Sequence, residues 1–224
     1  MICLVTDRRR LCADAAAAAQ RACLAAQIRH AVDAGVDLVQ VRESDLEVRA
    51  LAALVTESLA IAKGTSTRIV VNDRIDVALA CGAHGVHLRG DSIPVRAARQ
   101  IAPAGFLIGR SVHRVEEAVA AREADYLIAG TVFPSASKGA GAPLLGIDGL
   151  TAITRAVERP VLAIGGITDD RFDAIVSAGA AGVAAIGLFI ATGDGGARGG
   201  CRATPLQQIV TRARSRFDTL KCAF

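Results

Sequence analysis

Tryptophan is absent from this chain of 224 residues, and aromatic side chains of all kinds make up only 3% of it. Proteins that bind single-stranded nucleic acid stack the bases on aromatic side chains that lie among basic ones. Here the longest basic run is Arg8-Arg9-Arg10, and the formal net charge is only +4. We therefore expect no nucleic-acid partner, and the mild positive charge favours a small anionic substrate.

Other patterns that would assign a class of function are also missing. The six cysteines form no CxxC pair and lie in apolar segments, which predicts buried thiols rather than disulfides. No HExxH motif or cysteine–histidine cluster is present, so zinc chemistry is not indicated. No apolar run reaches the ~18 residues of a membrane span, and the chain starts with a strand, MICLVT, rather than an export signal. We expect a cytoplasmic protein with no membrane partner.

One supersecondary unit dominates what the sequence does contain. Between Ile69 and Asp91, a β-branched apolar strand is followed by a polar turn, a helix, Gly82 and a second short strand. A strand–helix–strand unit of this kind pairs its two strands in parallel. Comparable units recur at residues 30–42, 117–130 and 174–187, and such repetition indicates a closed or stacked array.

Eight short apolar strands alternate with helices along the chain, which predicts an α/β protein with a (β/α)8 TIM barrel in a single domain. An open doubly wound sheet is the alternative, but the first strand–helix turn lacks a GxGxxG motif. We assign residues 1–191 to the barrel, 192–204 to a flexible glycine-rich linker and 205–224 to a closing helix of the same domain. The strands are predicted at residues 2–6, 38–42, 69–71, 86–88, 106–109, 126–129, 161–164 and 182–186.

Barrel enzymes carry their active sites where the carboxyl ends of the strands meet. Every predicted strand after the first delivers a charged, hydroxyl-bearing or glycine residue to this rim, and the convergence predicts an active site. A long loop rich in glycine, proline and serine, residues 130–143, is typical of an active-site lid. In strand order, the rim residues are Arg42; Asn72 and Asp73; Arg89 and Asp91; Ser111 and His113; Ser135 to Lys138; Gly165 and Gly166; and Ile186 and Gly187.

Glycines close the last two strands. Gly165-Gly166 and Gly187 lie where such barrels commonly hold a phosphate through backbone N–H groups. Glycine lets the main chain approach an anion closely. Either site alone could be an ordinary turn, but the two together favour a phosphate site.

Asp73 and Asp91 follow neighbouring strands, so their carboxylates can share one hard cation. Mg²⁺ takes one or two carboxylates together with waters and substrate phosphates. The alternatives are that Asp73 caps a helix and that Asp91 is a turn residue. Arg42 and Lys138 add positive charge at the same rim, although Arg42 could merely pair with Glu43 or Asp45 and Lys138 could be a solvated lysine.

Among the histidines, His113 is the one with a reasonable claim to catalysis, because it lies just beyond strand five near Ser111. His87 lies inside strand four, which favours a hydrogen-bonded histidine of the barrel. His84 precedes that strand and is expected at the surface.

Six blocks of the sequence resemble, in order, the thiamine phosphate synthase and TenI family. They are LVTDRR, VQVRESDL, VVNDRIDVALACGAHGVHL, IGRSVH, DYLIAGTVFPSASKGAGAPLLG and PVLAIGGI, and they cover nearly all of the chain from Ile2 to Gly187. The resemblance implies a transferase of thiamine biosynthesis that uses Mg²⁺. It would join hydroxymethylpyrimidine diphosphate to a thiazole phosphate and release pyrophosphate.

The resemblance also implies a role for each candidate residue. Loss of pyrophosphate leaves a pyrimidinylmethyl cation, so catalysis would depend on neutralising the leaving group more than on a base. The pyrimidine diphosphate would contact Gln40 and Asn72, and Mg²⁺ would be held by Asp73 and Asp91. The pyrophosphate would be bound by Arg42 and Lys138, with Ser111, Ser135 and Ser137 around it. The thiazole phosphate would be held by Gly166 and the Ile186-Gly187 backbone.

The chain departs from the family pattern at two places. The usual Arg-Glu-Lys is Arg42-Glu43-Ser44 here, which removes one cation from the pyrophosphate site. The usual Gly-Gln-x-Asp after strand four is a shorter Arg89-Gly90-Asp91. One hypothesis is that Arg89 replaces the lost lysine charge.

Two further hypotheses stand beside the synthase. The Gly-Arg-Ser-Val-His motif around His113 is close to the TenI branch, whose members isomerise a thiazole carboxylate phosphate with a histidine base. Asp73, Asp91 and Lys138 favour the synthase, because a tautomerase needs none of them. The third hypothesis is a phosphate-binding barrel without catalysis, against which the lid and the clustered charges argue. The sequence is also compatible with a homo-oligomer.

Overall fold

The computed structural model describes residues 1–13, 15–135, 143–190 and 205–218. Eight parallel strands form one closed barrel in chain order, with the last strand paired to the first. The predicted TIM barrel is confirmed. The strands are Ile2–Val5 (β1), Leu38–Val41 (β2), Arg68–Asn72 (β3), Gly85–Leu88 (β4), Leu107–Val112 (β5), Tyr126–Gly130 (β6), Val161–Ile164 (β7) and Gly182–Ala185 (β8).

At least one helix follows each strand. The alanine-rich sequence of residues 13–34 predicts a helix, and the observed helix begins only at Ala17. A separate short helix precedes it, where the Asp7 side chain accepts a hydrogen bond from the backbone N–H of Arg10. The helices are Arg8–Leu11 (α1), Ala17–Asp33 (α2), Val48–Ala62 (α3), Ile75–Ala80 (α4), Val95–Ile101 (α5), Val115–Ala120 (α6), Gly146–Ala156 (α7), Phe172–Ser177 (α8), Gly187–Ile190 (α9) and Pro205–Phe217 (α10), with a 3-10 turn at Asp169–Arg171.

Strand β5 is longer than its sequence predicts. Arg110, Ser111 and Val112 follow a glycine and look like a polar loop, yet they continue the strand. The reason is pairing on both sides: Arg110 lies opposite Leu88 of β4, and Ser111 lies opposite Ile128 of β6. Ser111 is therefore held in the barrel wall rather than in a loop.

Side chains along each strand alternate between two layers, as the period of a strand requires. Those that face outwards, such as Leu4, Val39 and Val71, pack under the helices in one large apolar core. A smaller cluster that includes Cys3 and Tyr126 fills the barrel itself. Burial raises the pKa of the Cys3 thiol to about 12, so it is unreactive at neutral pH.

The predictions made for the remaining cysteines and for the C-terminal region have mixed outcomes. Of the four cysteines that the structure describes, all are free thiols and only Cys3 is buried, so the prediction of buried thiols is wrong for Cys12, Cys23 and Cys81. The linker over 192–204 lies outside the described residues. The closing helix is α10, which contacts α2 and α8. Within the described part of the chain, no helix has the length and apolar character needed to cross a membrane.

Candidate active site

A cavity of about 1100 Å³ opens at the carboxyl ends of the strands, where the sequence places the site. All eight strands or the loops after them contribute to it. Asp73 lies beside the cavity rather than in its lining. The predicted residues that line it are Gln40, Arg42, Asn72, Arg89, Asp91, Ser111, His113, Ser135, Gly165, Gly166, Ile186 and Gly187.

Four inward-facing polar side chains on β2 to β5 form one side of the cavity, and we call Gln40, Asn72, His87 and Ser111 the polar arc. The Gln40 amide nitrogen donates to the Asn72 side-chain oxygen at 2.9 Å, and His87 Nε2 lies 2.8 Å from the Ser111 hydroxyl. Gln40 is buried and is held by this bond. The Asn72 amide nitrogen has no partner among the described residues, so it can donate to a ligand.

His87 is a neutral residue of the barrel interior. Burial, with a smaller contribution from the charge of Arg110, lowers its pKa to about 3. Its Nδ1 and the hydroxyl of Tyr126 are both buried without a hydrogen-bond partner in the described structure. A Cβ added at Gly109 would lie 2.6 Å from that nitrogen and 2.5 Å from that hydroxyl. The predicted barrel histidine is therefore present, but only one of its two nitrogens is bonded.

Arg42 is available to bind an anion, because another arginine takes its expected partners. Arg8 donates to Glu43 at 2.9 Å and is also paired with Asp45. The alternative in which Arg42 merely pairs with Glu43 or Asp45 is therefore wrong. The Arg42 backbone N–H is fixed by the Thr6 hydroxyl at 2.9 Å, and its side chain lines the cavity without an acidic partner among the described residues.

Asp73 has a left-handed backbone, with φ at +63°, a conformation that Asp and Asn tolerate better than most residues. Helix α4 begins at Ile75 without a side-chain cap, so the capping alternative for Asp73 is wrong. Its carboxylate instead accepts a hydrogen bond from the Ser92 hydroxyl, and its Oδ2 lies 3.7 Å from Arg89 Nη1.

Asp91 pairs with the same arginine. Arg89 Nε donates to Asp91 Oδ1 at 3.0 Å, and Arg89 Nη2 donates to Oδ2. These bonds lower the pKa of Asp91 below its usual range, and its side chain is 70% exposed. The two carboxylates thus converge on one cation, and that cation is the guanidinium of Arg89.

The donor set fits Mg²⁺ in charge and chemistry, since that ion takes one or two carboxylates plus waters and substrate phosphates. No group of three or more His, Cys, Asp or Glu side chains in the described residues could enclose a metal. A cation at this point would therefore take Asp73 and Asp91 as its carboxylate ligands and would depend on substrate phosphate oxygens and water for the others.

His113 is oriented by two contacts at the edge of the cavity. Its Nδ1 donates to the carbonyl oxygen of Gly130, and its backbone N–H donates to Glu117 at 2.7 Å. Because a carbonyl can only accept, the proton of the neutral ring lies on Nδ1. Nε2 is then unprotonated and faces the Gly90 side of the cavity, where it could take a proton.

The glycine loops after β7 and β8 differ in how much space they have. Gly165 and Gly166 have φ values of +100° and +60°, and a Cβ at Gly166 would lie 2.4 Å from the carbonyl oxygen of Pro134. Gly187 is open: a Cβ there would meet only Arg10 Nη2, at 3.7 Å. Glycine is thus required at the first loop by backbone geometry, and at the second loop it leaves room for a ligand.

Two arginines that the sequence did not single out also line this side of the cavity, Arg10 and Arg171. Arg171 lies 4.5 Å over the Phe133 ring and donates to the carbonyl oxygen of Gly166. Arg10 follows β1, the one strand to which no rim residue had been assigned. The run Arg8-Arg9-Arg10 directly after a strand was the signal that pointed to this part of the rim, although it does not distinguish Arg10 from its two neighbours.

The loop after β6 is only partly described. Ser135 lines the cavity, whereas Ser137, Lys138 and the rest of the predicted lid from 136 to 142 lie outside the described residues.

Comparisons with known proteins identify the family of this chain. Residues 3–189 match the sequence model of a family described as thiamine monophosphate synthase. A thiamine-phosphate synthase of Methanoregula boonei is 40% identical over 191 residues, which cover 84% of this chain and 87% of that protein. One from Roseiflexus castenholzii is 39% identical, covering 87% of this chain and 82% of that protein.

A solved structure, the thiamine phosphate pyrophosphorylase from Pyrococcus furiosus, superposes with a TM-score of 0.78 at 29% identity and covers 98% of this chain and 96% of that one. The match extends over the barrel that carries the cavity, the polar arc and the glycine loops. The chain belongs to the thiamine monophosphate synthase family, a family of transferases in thiamine biosynthesis.

Proposed function

We propose that this chain joins hydroxymethylpyrimidine diphosphate to a thiazole phosphate and releases pyrophosphate. The observation that carries the proposal is a cavity whose rim has groups suited to an anion on two sides. One side has Arg42 beside the polar arc, and the other has Gly166, Gly187 and Arg10. In a closed barrel of eight strands, β3 and β4 lie opposite β7 and β8, so two charged substrates can be held facing each other.

The pyrimidine would bind at the polar arc. Asn72 can donate one hydrogen bond through its amide nitrogen, while Gln40 holds that amide in place at 2.9 Å. Ser111 is similarly oriented by His87, which is neutral at pH 7 because burial lowers its pKa to about 3. These side chains would fix the reacting methylene of the pyrimidine towards the opposite side of the cavity.

The diphosphate would extend from the pyrimidine towards Arg42. The carbon–oxygen bond breaks with its electron pair leaving on pyrophosphate, so negative charge builds up on the leaving group and must be neutralised. Arg42 supplies one fixed charge there, and Lys138 would supply another. Mg²⁺ held by Asp73 and Asp91 would add charge neutralisation at the same oxygens.

The thiazole phosphate would bind at Gly166 and at the Ile186-Gly187 backbone, with the Arg10 guanidinium beside Gly187. This anchor would direct the thiazole nitrogen at the pyrimidinylmethyl carbon. Its lone pair forms the new carbon–nitrogen bond, and no proton has to be removed. The proposed reaction therefore needs no general base.

One observation favours a second candidate function, thiazole tautomerase activity. His113 holds an unprotonated Nε2 at the cavity edge because its Nδ1 donates to Gly130, and such a nitrogen can act as a base. The two functions make opposite predictions for two variants, so one experiment can separate them.

The experiment measures coupling of both phosphorylated precursors alongside isomerisation of the thiazole carboxylate phosphate. For a synthase, Ser44→Lys should raise kcat/KM for the diphosphate by about tenfold, because a charge-assisted contact contributes ~1.5–3 kcal/mol. Ser44→Gln, similar in length but uncharged, is the matched control and should change little. His113→Asn should leave coupling nearly unchanged.

A tautomerase would reverse this pattern. His113→Asn would then slow isomerisation by about 10²–10⁴-fold, and Ser44→Lys would have no benefit. Absence of coupling by the wild type, together with isomerisation that depends on His113, would refute the proposed function.

A further inference from the structure

The Arg89 guanidinium lies between the two carboxylates to which the proposed function assigns Mg²⁺. It contacts Asp91 through Nε at 3.0 Å and also through Nη2, while its Nη1 lies 3.7 Å from Asp73 Oδ2. A monovalent cation from the chain thus takes the position at which a divalent cation would be held.

The Asp73 carboxylate and the loop that carries Asp91 are fixed independently of this arginine's side chain. Asp73 is positioned by its backbone N–H, which donates to the His87 carbonyl oxygen at 2.8 Å, and by the Ser92 hydroxyl. The loop from Gly90 to Ile93 is held by Arg110, which donates to the carbonyl oxygens of Ile93 at 2.9 Å and Gly90 at 2.8 Å. Removal of the Arg89 guanidinium should therefore leave the Asp73 carboxylate and the backbone of Asp91 close to their present positions.

The Arg89 guanidinium can also move away from the two carboxylates. Its side chain is 51% exposed, and an ion pair with that much contact with water is a weak one. Two cations cannot occupy the space between the same carboxylates, because their charges repel at such short range. The guanidinium and a divalent cation therefore exclude each other.

We propose that Arg89 is a built-in competitor of the divalent cation: it neutralises Asp73 and Asp91 until the cation arrives with a diphosphate. The inference rests on the proposed function for the assignment of the metal ligands. Pyrophosphate offers the displaced guanidinium a new anionic partner and offers the cation further oxygen ligands. Cation binding and diphosphate binding should therefore be strongly coupled, with little cation bound in the absence of diphosphate.

The test measures binding of Mn²⁺, used in place of Mg²⁺, by electron paramagnetic resonance with and without inorganic pyrophosphate. Arg89→Met keeps the apolar part of the side chain and removes the charge. It should bind Mn²⁺ alone about tenfold more tightly than the wild type, since it removes two exposed ion-pair contacts and one positive charge.

A matched control is available on the neighbouring strand end. Arg74 forms the same two-pronged pair with Asp76, with Nε donating to Oδ1 at 2.8 Å. Arg74→Met removes the same charge from the same part of the surface. Because Arg74 is paired with Asp76 and acts on Asp73 only through charge at longer range, this variant should raise Mn²⁺ affinity far less than Arg89→Met does. In the Arg89→Met background, Asp73→Asn should abolish the gain, and Asn is compatible with the left-handed backbone at this position.

In the wild type, addition of pyrophosphate should raise the affinity for Mn²⁺. The increase should be larger than the one that binding of Mn²⁺ to free pyrophosphate accounts for. Equal Mn²⁺ affinity in the wild type and Arg89→Met, or an equal gain in Arg74→Met, would overturn the proposal. The measurement involves no turnover, so it can fail while coupling of the two precursors succeeds, and it can succeed while coupling fails.

Discussion

At the scale of single residues, His87 makes stability depend on pH. Its pKa is lowered to about 3 by burial, while in the unfolded chain it is about 6.5. Between these values the unfolded chain binds a proton that the folded protein does not. Stability therefore falls as pH falls below about 6.5 and continues to fall until about pH 3.

We expect the wild type to lose about 2 kcal/mol more stability between pH 7 and pH 5 than His87→Gln does, because one pKa unit corresponds to about 1.4 kcal/mol. Gln has a similar length, can still hydrogen-bond to Ser111 and does not titrate. Urea unfolding followed by circular dichroism at the two pH values measures the difference. Equal losses in the two proteins would show that His87 is protonated in the folded state or is not buried.

Gly187 offers a clean test of the phosphate side of the cavity. A Cβ there would contact only Arg10, at 3.7 Å, so Gly187→Ala should fold normally. It should raise KM for the thiazole phosphate by about tenfold, because the added methyl group blocks close backbone approach and weakens a charge-assisted hydrogen bond.

KM for the pyrimidine diphosphate should stay the same in Gly187→Ala, and a parallel rise in both constants would argue against a separate phosphate site. Gly166→Val is a poor substitute for this test. Its Cβ would lie 2.4 Å from the Pro134 carbonyl oxygen and 2.8 Å from the Phe133 Cβ, so the variant would disturb the fold as well as the site.

The sequence identified most of the rim but not how its members pair. Asn72 and Asp73 could be placed at a strand end because strand ends follow from the apolar pattern. The pairing of Arg89 with both Asp73 and Asp91 could not be predicted, since it depends on the conformations of flexible side chains. Arg10 was missed for a similar reason, because a run of three arginines after β1 does not reveal which one faces the cavity.

At the scale of elements, α1 is tied to the loop after β2 by one buried ion pair. Arg8 has 12% of its side chain exposed and Glu43 has 3%, and their nearest atoms are 2.9 Å apart. The Arg8 backbone N–H also donates to Glu43 at 3.1 Å. This connection fixes the loop that directs Arg42 into the cavity.

We expect Arg8→Met to lower the free energy of unfolding by about 3 kcal/mol, because it leaves the Glu43 carboxylate buried without its cation. Arg9→Met is the control. That side chain is 67% exposed, so its loss should cost at most about 0.5 kcal/mol. Chemical unfolding of the three proteins gives both values, and equal costs for the two variants would mean that the Arg8 pair is no more stabilising than a surface one.

The ends of a helix or strand could be predicted from the sequence where the apolar pattern of that segment alone determines them. The strand Val161–Ile164 has the predicted bounds, because it is a clear apolar pattern between breaking residues. β5 was predicted too short, since the extension through Ser111 depends on pairing with two neighbouring strands. Contacts of that range are not visible in a local pattern.

At the scale of the whole molecule, the barrel is closed by the pairing of β8 with β1. Gly182 lies at this junction, and a Cβ on it would fall 1.7 Å from the Met1 carbonyl oxygen. That oxygen accepts a hydrogen bond from Val183 at 3.0 Å. A side chain at Gly182 would therefore push the first and last strands apart.

Gly182→Ala should lower the melting temperature by about 5 °C, because overpacking of this kind costs about 2 kcal/mol in a chain of this length. It should also increase light scattering on heating, since separated strands expose unpaired backbone groups. Gly187→Ala carries the same substitution in open space and should change neither quantity. A Gly182→Ala protein as stable as the wild type would mean that the junction can shift at little cost.

The two sides of the cavity should also differ in how strictly they select a ring. The pyrimidine side has hydrogen-bonding groups such as Asn72, and a site of that kind can reject an analogue that lacks the matching group by about 10⁴-fold. The floor towards β6 and β7 is formed by Ile128 and Ile164, and apolar walls distinguish rings that differ by one methylene group by only about 10–200-fold. Under the proposed function, thiazole phosphates with an altered ring should therefore be accepted more readily than altered pyrimidine diphosphates, and the products should be thiamine phosphate analogues modified in the thiazole ring alone.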